Sequence, residues 1–471
     1  MKLREKLNAA ATRSAPEKPL VLAPGNDAPS IMQRVVDTAS GKARAERSAN
    51  FRALRATLHT KLLDEIDLKA MGQMPDDQVR TELKNATEQM IIESGVAVSS
   101  KERAVLVSEI QDEVLGLGPL ESLLSDDRVS DILVNGANNV YIERAGLLEK
   151  TDVCFDSDAH LLKIIDRIVS RVGRRIDESS PLVDARLSDG SRVNAVIAPL
   201  ALDGPLLSIR RFGSKPLEMK NLIKNGSITE PMAELVEGMV KARLNILISG
   251  GTGSGKTTFL NIMSSSIPHN ERIVTIEDAA ELQLQQPHVA RLETRPANIE
   301  GNGAIGQREL VRNSLRMRPD RIVVGEVRGA EAFDMLQAMN TGHEGSMTTV
   351  HANTPRDALA RVENMISMAG FDLPQKAIRQ QIASAITVVV QIARLSDGTR
   401  KLMNISEITG MEGDIVTMQD IFVFEQTGVD RKGRVEGNMK ATGVRPKFLS
   451  ELEAAGIRVS PNLFDPTRSI R

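Results

Sequence analysis

Aromatic residues and cysteine are scarce in this chain of 471 residues. Phe, Tyr and Trp together make up 2% of the residues, and tryptophan is absent. The hydrophobic cores must therefore be built from Leu, Ile, Val, Met and Ala. A single cysteine, Cys154, excludes an intramolecular disulfide and favours a reducing compartment. We expect Cys154 to behave as a small buried hydrophobe.

Long apolar runs and an excess of one charge are also missing. No stretch approaches the roughly 20 apolar residues of a membrane-spanning helix, and residues 1–30 lack the apolar core of a signal peptide. We therefore expect a cytoplasmic protein that lies at a membrane only through partners. The net charge of −2 and the few aromatics available for base stacking argue against a direct nucleic-acid partner.

The length exceeds what one hydrophobic core usually supports, and the composition divides the chain into five regions. Residues 1–50, rich in Ala, Pro, Ser and basic residues, are predicted to be a disordered tail. Apolar spacings of three and four predict a helical region over 51–118. Short strands and one amphipathic helix predict a mixed α/β N-terminal domain over 119–213, and residues 214–228 are predicted to be a hinge linker. The last domain spans 229–471.

Local patterns place several elements. The segment HLLKIIDRIVSRVGRRID predicts an amphipathic helix, and LVDARLSDGSRVNAVIAP predicts a hairpin around Asp189 and Gly190. Thr229, followed by Pro231, is a candidate cap for the helix MAELVEGMVKARL. After residue 400, LMNISEITGMEGDIVTMQDIFVFE predicts a β-hairpin, and PKFLSELEAAGI predicts a short terminal helix.

The stretch GGTGSGKTT, residues 250–258, matches the phosphate-binding loop (P-loop) pattern. The strand NILIS precedes it and the helical segment TFLNIMSSSI follows, as the pattern requires. Backbone N–H groups of such a loop surround phosphate oxygens at a helix N-terminus. We expect Lys256 to reach the β- and γ-phosphates of ATP, and the Thr257 hydroxyl to bind Mg²⁺. The predicted nucleotide contacts are Gly250, Gly251, Thr252, Gly253, Ser254, Gly255, Lys256, Thr257 and Thr258.

Carboxylates end two apolar strands downstream of this loop. RIVTIEDAAEL carries Glu277 and Asp278, and RIVVGEVRGAEAF carries Glu326. Strand ends of an open parallel sheet line one crevice, so these side chains can meet the P-loop. Gly325 stands where an Asp normally holds the metal's water shell, so Glu326 is the candidate for positioning water. Glu277 is the candidate for supplementing the metal. Each Glu taken alone is better explained as a solvated strand-end charge, and only their joint placement favours the catalytic interpretation.

Two of the six histidines, His343 and His351, lie in TGHEGSMTTVHANTP. A zinc site is disfavoured, because neither a cysteine nor a histidine at metal-binding spacing accompanies them. A neutral histidine that senses the γ-phosphate, or couples it to the next domain, is the favoured interpretation. Ordinary polar packing remains an alternative.

Four ordered blocks resemble the bacterial type II/IV secretion traffic ATPases, which serve type II secretion, type IV pili and type IV secretion. These blocks are GGTGSGKTT as Walker A, TIEDAAEL as acidic box, IVVGEVRGAE as atypical Walker B, and GSMTTVHANTP as histidine box. The flanks GLGPLESLLSDDRVSDILVNG, SSPLVDARLSDGSRVNAVIAPLALDGPLLSIRRF and RLETRP look closer to the CpaF/TadA type, which powers Tad (Flp) pili. The resemblance covers about residues 105–445.

The resemblance implies an α/β fold, with a RecA-like P-loop ATPase domain preceded by a mixed α/β N-terminal domain and a helical N-terminal region. It further implies a homohexameric ring in which ATP and Mg²⁺ sit between these two domains. By matching position, Glu326 resembles the catalytic glutamate, Glu277 the acidic-box metal or water residue, and His351 the histidine-box residue. N-terminal-domain arginines resemble those that clamp phosphates on closure, namely Arg186, Arg192, Arg210 and Arg211. Surface salt bridges remain an alternative for them, and Arg316, Arg318 and Arg328 compete for that role.

The function that this resemblance implies is an ATP-hydrolysing motor at the cytoplasmic face of the inner membrane. It would power assembly of Tad/Flp-type pili through inner-membrane platform proteins, with pilin as an indirect partner and retraction left open. The alternatives are a type IV secretion ATPase for protein or DNA export, a RecA-like nucleic-acid translocase and a nucleotide-sensing scaffold without turnover.

Overall fold

The structure is a computed structural model, and it describes residues 54–55, 57–58, 61–62, 75–96, 98–144, 146–211, 217–297, 302–468 and 470. The predicted tail lies outside the described residues, and the predicted hinge lies partly outside them. Two compact units divide the chain between Glu121 and Ser122. The domain boundaries drawn from the sequence stay predictions.

The first unit is helical in its described part, with α1 at Asp76–Glu93 and α2 at Ser100–Leu115. Helix α2 begins at a capping box, in which the Ser99 hydroxyl accepts from the Glu102 N–H and the Glu102 carboxylate accepts from the Ser99 N–H. The core of this unit is formed by apolar side chains, many of them three or four residues apart. They are Leu58, Leu62, Val79, Leu83, Met90, Ile91, Leu106, Val107 and Ile110.

The second unit begins with a six-stranded antiparallel sheet in the order β3-β2-β1-β6-β5-β4. Its strands are β1 Val129–Asn135, β2 Val140–Arg144, β3 Leu147–Lys150, β4 Leu182–Arg186, β5 Arg192–Val196 and β6 Leu206–Arg210. Alternate residues of β1, β5 and β6 are buried, so one face of this sheet forms a core. The amphipathic helix between β3 and β4 buries Leu161, Ile164, Ile165, Ile168 and Val169.

A nine-stranded sheet follows, in the order β15-β14-β13-β12-β7-β11-β10-β8-β9. Its strands are β7 Ile246–Gly250, β8 Ile273–Glu277, β9 Val289–Glu293, β10 Arg321–Val324, β11 Met347–His351, β12 Val388–Arg394, β13 Arg400–Glu412, β14 Ile415–Val429 and β15 Val435–Ala441. Strands β12 to β9 pair in parallel, and β12 to β15 pair antiparallel. Strands β7, β8 and β10 are buried along their whole length, so helices cover both faces.

The remaining helices precede, connect or follow these strands. They are α3 Glu121–Leu124, α4 Asp158–Arg171, α5 Met219–Lys224, α6 Glu230–Lys241, α7 Lys256–Ser264, α8 Gln307–Ser314, α9 Glu331–Asn340, α10 Pro355–Met368, α11 Gln375–Ala385 and α12 Leu449–Ala454, with 3₁₀ turns at Gly118–Leu120 and Pro461–Phe464. Over the part of the chain that the structure describes, no helix has the length and apolar character needed to cross a bilayer.

These elements confirm the fold class, which is a RecA-like α/β domain preceded by a mixed α/β domain and a helical region. The hairpin around Asp189 is confirmed as β4–β5, and the later hairpin as β13–β14. Helix α4 ends at Arg171, whereas the sequence pattern predicted a helix that continues to Asp177. Gly173 follows the end of the helix with a φ of +68°. Thr229 is the N-cap of α6 as predicted, but its side chain makes no capping hydrogen bond.

Candidate functional site

The P-loop lies between the buried strand β7 and helix α7. Gly250 ends β7, and a Cβ atom there would lie 2.5 Å from the Ile392 carbonyl oxygen and the Ser254 Oγ. Only glycine therefore fits this close approach. Gly253 and Gly255 have φ angles of +69° and +91°, in the left-handed region that favours glycine. The loop reverses sharply within a few residues and leads directly into the N-terminus of α7.

Lys256 folds back over this loop. Its Nζ donates to the Gly251 carbonyl oxygen at 3.1 Å, and the residue is only 7% exposed. Burial lowers the pKa of the ammonium, and the neighbouring Arg328 and Arg361 act in the same direction, while Glu326 opposes them. A buried cation with one neutral acceptor gains much from an anion, so the position suits phosphate binding.

Glu326 follows the end of β10 and is held on both oxygens. Its Oε1 lies 3.1 Å from Nε2 of His351, and its Oε2 accepts from Arg328 at 2.8 Å. Arg328 also lies 3.4 Å from the Asp278 carboxylate. Burial lowers the pKa of His351, as does Lys256, although Glu326 opposes both. A neutral imidazole can donate one hydrogen bond to Glu326, and His351 itself pairs in register with Gly250.

Glu277 ends β8 and is 3% exposed. Its Oε2 accepts from the backbone N–H groups of Glu281 at 2.7 Å and Leu282 at 2.9 Å. Its Oε1 is buried without a hydrogen-bond partner in the structure. Burial raises the pKa of Glu277 to about 7, although these two backbone bonds oppose the rise. The side chain therefore combines an unpaired acceptor with a proton that is easily lost.

The same side chain explains the glycine in the second strand motif. A Cβ atom on Gly325 would lie 3.0 Å from Cγ of Glu277, tighter than ordinary contacts. Strands β8 and β10 are neighbours, and Ile276 pairs with Val324. The space that an Asp side chain would need at position 325 is thus partly taken by Glu277, so the acidic group of this strand pair comes from β8.

Three arginines stand side by side on the N-terminal sheet. Arg192 pairs in register with Arg186 on β4 and with Arg210 on β6. The three side chains share one sheet face, because strand residues directly opposite each other point the same way. Together with Arg211 they line a cleft of about 240 Å³ whose other wall includes Thr257 and Thr258 of α7. The structure therefore brings cations of the N-terminal domain to the P-loop helix.

These arginines differ in their partners. Arg186 donates to the Ala280 carbonyl oxygen at 3.1 Å and pairs with Glu293 at 3.0 Å. Arg210 pairs with Asp131 at 3.1 Å.

Arg211 donates to the carbonyl oxygens of Asp126 and Val129, so it braces the start of β1. Within the described residues, Arg192 has neither an ion pair nor a hydrogen bond from its guanidinium, although it acts on the pKa of Asp278. Arg192 is therefore the arginine of this row best able to take a new anion.

Three candidates from the sequence, Arg316, Arg318 and His343, do not lie at the P-loop edge of the sheet within one chain. Arg316 and Arg318 precede β10, at the amino-terminal edge of the parallel sheet, whereas the P-loop lies at the carboxyl edge. His343 likewise precedes β11, and its carbonyl oxygen accepts from Ser346. Arg328, also a candidate from the sequence, and Arg361 instead lower the pKa of Lys256 through their charge. Sequence reasoning missed Arg361, because its helical segment carries no motif and only the tertiary fold brings its charge within reach of Lys256.

The donor set can accommodate nucleotide and a magnesium ion. Thr257 lies on the cleft, and Glu277 presents a buried oxygen that has no hydrogen-bond partner among the described residues. No group of three or more His, Cys, Asp or Glu side chains that could hold a metal occurs in the residues described. Thr257 and Glu277 as a pair of donors fit Mg²⁺, which proteins usually hold through one or two side chains together with substrate phosphates and water.

A P-loop between a buried strand and a helix, in a parallel sheet with acidic strand ends, defines a RecA-like P-loop ATPase. Consistent with that class, residues 113–444 match the family described as type II/IV secretion system protein. The chain belongs to this family, and it is an ATPase that binds nucleotide.

Named relatives agree with this membership. A candidate conjugal transfer protein of Mycobacterium tuberculosis is 41% identical over 312 residues, which is 65% of this chain and 88% of that protein. The type IV secretion system protein VirB11 of Bartonella quintana is 32% identical over 322 residues, 59% of this chain and 88% of its own. The crystal structure of the Brucella suis VirB11 ATPase matches with a TM-score of 0.33 at 28% identity, over 61% of this chain and 91% of that one.

Proposed function

We propose that this ATPase is a homohexameric motor that powers Tad/Flp-type pilus assembly through an inner-membrane platform. The observation that carries the proposal is the cleft between the arginine row and the P-loop helix, where Arg192 and Thr257 share one space. A nucleotide held there would contact two domains, so its binding and loss can change the angle between them. That coupling is what a motor requires and what a simple nucleotide store does not.

Each residue of the site has a task in this scheme. The P-loop N–H groups and Lys256 hold the phosphates, and Thr257 with Glu277 holds Mg²⁺. When bound, that ion neutralises charge on the β- and γ-phosphates. Arg192 reaches the γ-phosphate when the domains close, while Arg210 and Arg211 keep the sheet edge in position.

Glu326 orients the attacking water in this proposal. One of its oxygens is held by His351 and the other by Arg328. Each carboxylate oxygen has a second lone pair, so Glu326 can also accept from water while these two partners fix its orientation. The side chain of Arg328 is 57% exposed, and a bound phosphate would attract it.

The second candidate is a type IV secretion ATPase for protein or DNA export. It is favoured by the names of the relatives, which include conjugal transfer proteins and VirB11. The flanking sequences around RLETRP favour the Tad branch instead. Both candidates use the same site and peripheral attachment at the inner membrane through partners, so the residues of the site do not separate them.

Deleting the gene in its host separates the two. We expect loss of surface pili and unchanged export or DNA transfer, with piliation restored by the wild-type chain and not by Glu326→Gln. Unchanged piliation together with loss of DNA transfer or protein export would contradict the pilus assignment and support the type IV secretion candidate.

A further inference from the structure

The P-loop has a support that no motif marks, on the turn between β12 and β13. Arg400, the first residue of β13, donates from its Nε to the Gly253 carbonyl oxygen at 3.0 Å. The same side chain lies close to the next loop glycine, because a Cβ on Gly255 would be 3.2 Å from Cδ of Arg400. A residue 147 positions away in sequence thus touches the loop at both of its left-handed glycines.

The turn that carries Arg400 is itself firmly fixed. The Asp397 carboxylate accepts from the Thr399 N–H and hydroxyl, at 2.9 and 2.6 Å, and from the Val435 N–H at 2.8 Å. Leu395 and Thr399 close the turn with a backbone hydrogen bond of 2.8 Å. Arg400 therefore begins from a rigid base, as a side chain that positions another group must.

Arg394 stands directly opposite Arg400 in the strand register. Like charges in this arrangement repel, and within the described residues neither guanidinium has a carboxylate partner. Each is held by a backbone carbonyl instead, since Arg394 donates to Gly146 at 3.0 Å. Two arginines that flank this turn thus donate hydrogen bonds to backbone carbonyl groups. Arg400 donates to the P-loop, and Arg394 donates to the β2–β3 turn of the N-terminal sheet.

The bond to Gly253 has a directional consequence. In a trans peptide the carbonyl oxygen and the following N–H point in opposite directions. Because the Gly253 oxygen faces Arg400, the Ser254 N–H faces the inside of the loop, where it now lies 3.3 Å from the Gly251 oxygen. That interior is where P-loops receive phosphate oxygens.

We infer that Arg400 is a positioning residue, which aims the Ser254 N–H into the phosphate site by holding the Gly253 peptide from outside. The inference rests on the P-loop being the nucleotide site. It deepens that assignment, because Arg400 acts through the loop and does not contact the nucleotide. Its effect falls equally on ADP and ATP, since the loop surrounds phosphates that both share.

Equilibrium binding of a fluorescent ADP and of a non-hydrolysable ATP analogue, with Mg²⁺ and full-length protein, tests this. In Arg400→Ala we expect both Kd values to rise by the same factor, about tenfold or more, as loss of one charge-assisted hydrogen bond implies. Turnover at saturating ATP should stay near that of the wild type. Arg400→Lys, which keeps a donor, should recover part of the affinity, and Arg400→Gln serves if the alanine variant does not fold.

Arg431→Ala is the matched control, because Arg431 is an exposed arginine in the β14–β15 turn of the same sheet and makes no P-loop contact in the structure. Loss of binding in Lys256→Ala identifies the P-loop as the site being measured, which separates failure of this inference from failure of the proposed function. Unchanged Kd values in the Arg400 variants would overturn the inference. So would a loss confined to the ATP analogue, which would place Arg400 on the γ-phosphate itself.

Discussion

Replacing Glu277 by glutamine should stabilise the nucleotide-free protein, and only above mildly acidic pH. Glu277 is 3% exposed, and burial raises the pKa of its carboxyl group from 4.5 to about 7. Between these two values the folded state holds a proton that the unfolded state has lost. The free energy of unfolding therefore falls as pH rises through this window, and it stays lower at higher pH.

The size of the effect follows from the same two values. A difference of about 2.5 between the folded and unfolded pKa corresponds to about 3 kcal/mol once pH exceeds the folded pKa. Glutamine has no proton to lose, so it escapes this cost. Its amide oxygen can still accept hydrogen bonds from the N–H groups of Glu281 and Leu282. The Oε2 atom of Glu277 accepts these bonds in the wild-type protein.

Denaturant unfolding of both proteins without nucleotide, from pH 4.5 to 8, measures the difference. We expect the two unfolding free energies to be similar near pH 4.5, and Glu277→Gln to be more stable by about 3 kcal/mol near pH 8. Glu436→Gln, at an exposed position on β15, should leave the pH dependence unchanged. A difference that does not vary with pH, or a glutamine variant that is less stable at pH 8, would refute this reasoning.

Three further substitutions, with one control, follow from the site and the core. Lys256→Ala should lose nucleotide binding, whereas Glu326→Gln should bind nucleotide like the wild type and lose about 10²-fold or more in turnover, which binding and phosphate-release assays compare. Wild-type turnover in Glu326→Gln would contradict its role. Arg321→Met should lower the free energy of unfolding by about 3 kcal/mol, because it leaves the partly buried Glu271 without its closest cation. Lys376→Met, which removes an exposed ion pair, should change it by less than about 1 kcal/mol.

The P-loop could be predicted because everything that defines it is contiguous. The strand, the loop and the helix occupy residues 246–264 without interruption. The glycines of the loop indicate where the backbone adopts positive φ angles. The hairpin around Asp189 could be predicted for the same reason. Its turn sets the pairing of Arg186 with Arg192, so part of the arginine row was already implied by the sequence.

Features of the site that depend on contacts between segments far apart in the sequence could not be predicted from it. Glu277 was predicted as a metal residue, but its burial and raised pKa come from how the segment after β8 folds back over it. The third arginine of the row, Arg210, arrives only through the pairing of β5 with β6. Arg316 could be named as a competing cation because position along the chain does not say at which edge of the sheet a residue lies.

The contact of Arg400 with the P-loop could not be predicted from the sequence either. An Asp-Gly turn near residue 397 is visible in the sequence, but nothing local says that β12 will lie beside β7. That neighbour relation, with Ile392 opposite Gly250, is what brings the turn to the loop. Residues that act on a motif from outside it have no pattern of their own.

The central claim is that this ATPase works as a ring, and turnover per subunit as a function of protein concentration tests it most directly. The measurement should span the range over which monomers associate, with light scattering to follow assembly. We predict a steep rise in ATP turnover per subunit as the oligomer forms, because closure of the arginine-lined cleft would then occur under the constraint of neighbouring subunits. Substantial turnover that stays flat down to the monomer would contradict the claim.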